Sequence, residues 1–307
     1  MEVNTMKKNS TLKKLLAAAL SLSLALTLAA CTGAGNDSGS SGASSSDGTA
    51  AGGSSTSAAK TEYKIGLVKY MDHASLDQIE KNVQKELDAK SAELGVTFNY
   101  ADYTYNGQGD GTTLNQIAAQ LVADGVDVVV PIATPAAQVM QSVVTDEDIP
   151  IIFAAVSDPV TANLVQDMDA PGGTITGVSD ALNTEMIMKM MLAVDPDIQT
   201  VGLLYCSAEP NSKYQIDTIK PMLEEKGYTC EEFAFADSND VASVTTSACA
   251  ASDVIYIPTD NTAASCTEAI RNVVVPAKTP VVAGEQGICS RQISFPKKSR
   301  SRKNVQR

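Results

Sequence analysis

Small polar residues and carboxylates stand directly after short apolar runs throughout this 307-residue chain. Tyr70, Asp72, His73 and Ser75 follow Ile65-Gly66-Leu67-Val68, Thr134 follows the run ending at Ile132, and Ser157-Asp158 follow the run ending at Ala155. Later, Ser207, Asn211 and Ser212 follow Tyr205, Thr259-Asp260-Asn261 follow Ile257, and Glu285 follows Val281-Val282. Such side chains suit binding without transformation. Hydroxyls and amides donate and accept hydrogen bonds, and Asp260 or Glu285 can pair with a ligand ammonium. Tyr70, Met71 and Tyr205 offer apolar surface, either to a ligand or to the core. Each residue also has an ordinary local role, because Ser, Thr, Asp and Asn before a helix cap its free N–H groups. The recurrence of the pattern, more than any one residue, points to a ligand.

The composition argues against catalysis. His73 is the only histidine and there is no tryptophan. A hydrolase needs a base beside its nucleophile, and no Gly-x-Ser-x-Gly elbow is present. Gly107 to Gly111 lacks the Lys-Ser/Thr of a phosphate-binding loop and reads as a flexible loop. A two-lobed racemase would need a thiol in each half, yet no cysteine lies between Cys31 and Cys206. Without a CxxC motif, zinc is not expected, and no cofactor is called for. Cys206, Cys230, Cys249, Cys266 and Cys289 are an odd number, so at least one is unpaired or pairs elsewhere. Cys249 reads as a small apolar core residue. A net charge of −13 disfavours nucleic acid.

The elements that would position these residues alternate. A strand at 64–68, a helix over 76–94 closed by Gly95, a strand at 96–100 and a helix over 114–123 come first. A buried strand at 127–132, a helix over 136–144 and a strand at 149–155 complete a βαβαβαβ order. A similar order recurs: strand 201–205, helix 214–226, strand 228–235, helix 241–250, strand 253–257. The expected fold is therefore α/β, with two doubly wound parallel-sheet lobes; one long sheet with coincidental echoes is the alternative. In open parallel sheets ligands bind outside the carboxyl ends of the strands, where the polar residues lie.

The ends of the chain differ from its middle. Residues 32–290 carry 12 basic and 35 acidic residues. Lys7, Lys8, Lys13 and Lys14 precede an uncharged apolar run that ends in Leu28-Ala29-Ala30-Cys31. This reads as an export signal over 1–30. Its ending resembles the lipobox of bacterial lipoproteins, which implies cleavage before Cys31 and acylation of that residue; an ordinary signal with an incidental cysteine is the alternative. Residues 31–60 then form an acylated Cys and a Gly/Ser-rich tether reaching roughly 30 Å. The expected location is the extracytoplasmic face of the cell membrane, lipid-anchored.

Five segments carry a family resemblance: Ala133-Thr134-Pro135-Ala136-Ala137-Gln138, Val156-Ser157-Asp158-Pro159-Val160, Thr176-Gly177-Val178-Ser179-Asp180, Pro258-Thr259-Asp260-Asn261 and Ala283-Gly284-Glu285. Over about residues 62–290 they resemble ABC-transporter substrate-binding proteins of the TrpX/YtrF-like group, with the type I periplasmic-binding fold. The resemblance implies a solute-capture lipoprotein serving an ABC importer, with permease subunits as partners. Some members bind aromatic amino acids, and an aromatic or branched amino acid is the first ligand it suggests; purine-like and other small solutes remain open. By motif position Thr134, Ser157, Asp158, Asn211, Ser212, Asp260, Asn261 and Glu285 would line the cleft, with His73 closing one side. The implied lobes are 61–177 and 178–284. Thr176 to Asp180 would make the first hinge crossing and Ala283 to Gly287 the second. Ligand bridging both lobes would shift the population to a closed form. A sensory module for a membrane receptor is a competing reading.

The C-terminus departs from that pattern. Residues 291–307 carry seven basic residues and no acid. Residues 285–307 read as a crossover remnant followed by a basic, disordered tail, consistent with a frameshifted or otherwise artefactual end. The first lobe would then lack closing elements, expose apolar faces and belong to a truncated, non-functional copy. A genuine basic tail for anionic lipids is the alternative.

Overall fold

Short β-branched runs alternate with glycine-terminated helices, and the chain winds accordingly into two parallel sheets. The computed structural model describes residues 60–194 and 197–289. The export signal, Cys31, the tether up to residue 59 and the basic residues 290–307 lie outside the described residues.

The first sheet is built from β1 (Glu62–Lys69), β2 (Thr97–Asn99), β3 (Thr104–Asn106), β4 (Val128–Ile132), β5 (Ile151–Val156) and β6 (Ile175–Ser179). Its order is β2-β1-β4-β5-β6, with β3 also paired to β1. Every pairing is parallel. β2 pairs with the first half of β1 and β3 with the second, and a 3-10 turn at Ala101–Tyr103 separates them. The sequence pattern shows only the first of these two segments. The helices of this lobe are α1 (Ala74–Leu94), α2 (Gly111–Asp124) and α3 (Thr134–Val144). α1 ends where Gly95 takes φ 67°, and α2 ends where Gly125 takes φ 62°, the left-handed cap that glycine adopts without strain. Asp110 starts α2 by accepting from the Thr113 N–H at 2.7 Å. Leu67, Val129, Ile132 and Ile151 from the strands pack with Leu121 and Met140 from the helices, all fully buried. On one side of the sheet's β6 edge, Ile152 and Val178 stay 45% and 69% exposed.

From β6 the chain crosses to α4 (Thr184–Val194) and the second sheet. That sheet has the order β10-β9-β7-β8, built from β7 (Thr200–Cys206), β8 (Thr229–Phe235), β9 (Val254–Ile257) and β10 (Val281–Ala283), again parallel. α5 (Pro210–Glu225), α6 (Val241–Ala251), α7 (Asn261–Ser265), α8 (Thr267–Ala277) and α9 (Gln286–Cys289) complete the lobe. Alternate strand residues feed separate cores. Val201, Leu203 and Tyr205 pack with Met191, Ile216 and Ile219 on one face. Leu204, Ile255 and Ile257 pack with Val241 and Ile270 on the other. Helices on both faces are what makes such strands read as unbroken apolar runs. Tyr70 and Tyr205 belong to these cores: their hydroxyls bond the Gly109 carbonyl and Glu232. Cys206, Cys230, Cys249 and Cys266 are all free thiols, so no disulfide links them. Cys249 is half-buried against the second-lobe core.

Candidate functional site

The carboxyl ends of the strands in both sheets converge on one cavity. β1 leads to Ser75, β4 to Thr134, β5 to Ser157 and β6 to Asp180; β7 leads to Asn211, β9 to Thr259 and Asn261, and β10 to Glu285. Together with Leu76, Ile79, Ala155, Leu182 and Gly284 these residues enclose about 190 Å³. Two backbone features shape its first-lobe wall. Ala133, at the start of α3, has φ 84°, and Ala155, at a shift in the β5–β6 register, has φ 55°. Non-glycine residues rarely adopt such angles, and they gather where a site over-determines them.

The wall is polar and incompletely paired. Thr134 Oγ1, Asp180 Oδ1, Asn211 Oδ1 and Glu285 Oε1 are buried and have no hydrogen-bond partner. Three of the four are oxygens of carboxyl or amide groups, so the cavity presents acceptors that lack donors. Leaving buried polar atoms unpaired costs roughly 1–3 kcal/mol each, a cost that a ligand carrying donors removes. Burial pushes Asp180 above the usual carboxylate range, although the Ser157 hydroxyl bonds it. Burial, assisted by the nearby Asp180 and Glu209 charges, pushes Glu285 up to about 7 against a hydrogen bond from Ser75. The segments after β6 and β10 therefore each deliver one carboxyl that resists ionising unless a cation arrives. α1 and α3, whose first turns also border the cavity through Ser75 and Thr134, begin without side-chain caps at His73 and Ala133. Their N-terminal N–H groups and dipoles suit an anion.

Hydrogen bonds cross between the lobes around the cavity. His73 Nε2 lies 3.1 Å from Asn261 Oδ1. Ser157 Oγ lies 3.1 Å from Thr259 Oγ1 and accepts from Gln215 Nε2 at 3.0 Å. Gln215 also bonds Thr259, through both its amide nitrogen and its oxygen. Asp158 bonds the Tyr214 hydroxyl and caps its own loop at the Thr161 N–H. Burial lowers the pKa of His73, which favours the neutral ring.

Of the residues named from sequence, Thr134, Ser157, Asn211, Asn261 and Glu285 lie on the cavity wall. His73 is buried beside it and joins the lobes. Asp158 faces a separate gap of about 20 Å³ with Tyr214. Asp260 and Ser212 stand behind the wall, both fully buried. Asp260 accepts from the Cys206 N–H at 2.6 Å and the Ala263 N–H at 2.7 Å, so it caps α7 and is not on the cavity wall. Burial and the neighbouring Glu209 push it up to about 7. Asp180 escaped notice as a binding group because its segment reads as a crossing, although its place after a strand was the available signal. Gln215 and Glu209 carry no local signal, since all their partners but Asn211 lie 44 to 58 residues away. Among the described residues no group of three or more His, Cys, Asp or Glu side chains is placed to hold a metal.

Comparison with known proteins follows the same lines. The family model described as ABC transporter substrate binding protein matches residues 64–292. A curated "Tyrosine-binding protein" of Clostridioides difficile (strain R20291) is 33% identical over 232 residues; these are 76% of this chain, and the chain spans 66% of that relative's length. A solved ABC domain in complex with L-Trp, from Streptococcus pneumonia, is 38% identical, covering 74% of this chain and 75% of that one at a TM-score of 0.67. A ligand-free, open substrate-binding protein with adhesive properties from Clostridium difficile is 31% identical, covering 74% and 75%, at a TM-score of 0.50. Two parallel-sheet lobes around an acceptor-lined cavity, and a family match over most of the described chain, lead to one assignment: this chain belongs to the ABC transporter substrate-binding protein family, which has the type I periplasmic-binding fold and comprises solute-binding proteins, not enzymes.

Proposed function

We propose that this chain captures an α-amino acid, with an aromatic side chain as first choice, in the cavity between its lobes. The single observation that carries the reading is the set of unpartnered acceptors on the cavity wall, Asp180 Oδ1, Asn211 Oδ1 and Glu285 Oε1, in a cavity that the uncapped starts of α1 and α3 also border. A zwitterion answers both: its ammonium goes to the hinge carboxyls and its carboxylate to the helix N-termini. Leu76, Ile79, Ala155 and Leu182 offer apolar wall to the side chain. The tyrosine-binding relative and the L-Trp complex favour an aromatic one.

Closure about the two crossings accompanies capture. The greater similarity to the L-Trp complex than to the open, ligand-free relative supports placing the described arrangement toward the closed end. Delivery to a permease in the membrane, from an extracytoplasmic position held by an acylated Cys31, is the biological role that the family and the lipobox resemblance suggest. A thermal-shift panel of the twenty amino acids tests capture. Tyrosine or tryptophan at about 100 times its Kd should raise Tm by about 5–10 °C. A panel in which no amino acid moves Tm contradicts the reading.

A further inference from the structure

Glu209 is the most heavily hydrogen-bonded side chain near the cleft, and the capture reading leaves it without a role. It occupies the N-cap position of α5 but makes no side-chain cap there. Its carboxylate instead reaches the start of α7 and is fully buried. Oε2 accepts from the Asn261 N–H at 3.0 Å, from Asn261 Nδ2 at 2.6 Å and from Asn211 Nδ2 at 3.2 Å. Oε1 accepts from the Thr262 N–H at 2.8 Å and the Thr262 hydroxyl at 2.7 Å. Five donors converge on one carboxyl group. Only an ionised carboxylate accepts from all of them.

An amide has a donor end and an acceptor end, and Glu209 takes the donor end of both asparagines. Asn211 Nδ2 is further held by the Thr259 carbonyl at 2.8 Å, which leaves its Oδ1 unpaired on the cavity wall. Asn261 Oδ1 is turned across the cleft to His73 Nε2. We infer that Glu209 is the positioning residue of the cleft: by turning the amides of Asn211 and Asn261 oxygen-outward, it makes the second-lobe wall select a ligand that donates hydrogen bonds, such as an ammonium. The selectivity half of this inference rests on the amino-acid reading. The orientation half does not.

The orientation has a spectroscopic consequence. With Asn261 Oδ1 as acceptor, neutral His73 must carry its proton on Nε2, and Nδ1, which has no partner, keeps its lone pair. His73 is the only histidine, so ¹⁵N NMR of the full chain at pH 8 shows one imidazole. The ligand-free wild-type protein should show the Nε2–H tautomer. Glu209→Gln brings an NH₂ group among five donors, so Asn261 must flip to accept from it. The ring should then move to the Nδ1–H tautomer. In parallel, calorimetric titration should find that wild type prefers L-tyrosine to 3-(4-hydroxyphenyl)propanoate, which lacks the amine, and that Glu209→Gln cuts this preference by about tenfold or more. Glu209→Asp keeps the charge and should retain both the Nε2–H signal and the amine preference.

A wild-type Nδ1–H tautomer overturns the proposal, as does a folded Glu209→Gln protein that keeps both wild-type readouts. Should Glu209→Gln fail to fold, the wild-type tautomer and the Glu209→Asp protein decide. If wild type bound no tyrosine, the capture reading would fail, while the tautomer would still judge whether Glu209 orients Asn261.

Discussion

Glu285 shows how a single residue can couple solute capture to pH. Below its unfolded value of 4.5 the carboxyl is protonated in folded and unfolded chains alike, so it contributes nothing to stability. Between 4.5 and about 7 the ligand-free folded chain binds the extra proton, and stability falls as pH rises. Above 7 the folded chain holds an uncompensated charge beside Asp180. An ammonium ligand reverses this, because it pairs with the ionised form. Affinity for the amino acid should therefore rise from pH 5 to 7, by up to about tenfold per unit, and level off above. Titration calorimetry across that range checks it. Glu285→Gln should flatten the profile, and a flat wild-type profile would contradict an ammonium at this site. The residue scale is also where sequence reading reached least far. Glu285 and Asn261 were legible because strand ends in parallel sheets face ligands. Asp260 satisfies the same rule, yet it caps α7 from behind, and only the fold tells a capping carboxylate from a lining one. Asp180 completes the pair with Glu285 from a segment more than a hundred residues away in sequence.

At the scale of elements, apolar runs and closing glycines located the strands and helices, and the polar first turns blurred where helices begin. α5 starts at Pro210, four residues before the apolar periodicity does, because Asn211, Ser212 and Gln215 on its first turns are buried toward the cleft instead of solvent. β3 escaped because a three-residue Thr-Tyr-Asn strand has no readable period. The segment after β10 is packed tightly. A Cβ on Gly284 would lie 2.7 Å from Leu182 Cδ1 and 2.9 Å from the Pro258 carbonyl carbon and the Thr259 nitrogen. Gly284→Ala should cost about 1–3 kcal/mol of stability and weaken ligand binding, since the backbone that must yield carries Thr259. Gly95→Ala is the comparison. Gly95 has open space but φ +67°, so it should cost about 1 kcal/mol and leave affinity unchanged. Denaturant melts and titration of both variants check this, and equal effects on affinity would contradict the role given to Gly284.

For the whole molecule, the doubling of the βα pattern, visible as Asp127-Val128-Val129-Val130 against Asp253-Val254-Ile255-Tyr256, becomes two sheets whose carboxyl ends face one cavity. Around that cavity, among the described residues, side chains of the two lobes meet at His73 with Asn261, Ser157 with Thr259 and Gln215, and Asp158 with Tyr214. A crystal structure of the full chain grown with L-tyrosine tests the central claim most directly. The account predicts the amino acid between the lobes, with its α-nitrogen within hydrogen-bond distance of Asp180 and Glu285 and its carboxylate at the starts of α1 and α3. An amino acid bound elsewhere, or bound between the lobes with its carboxylate toward Asp180 and Glu285, would contradict it.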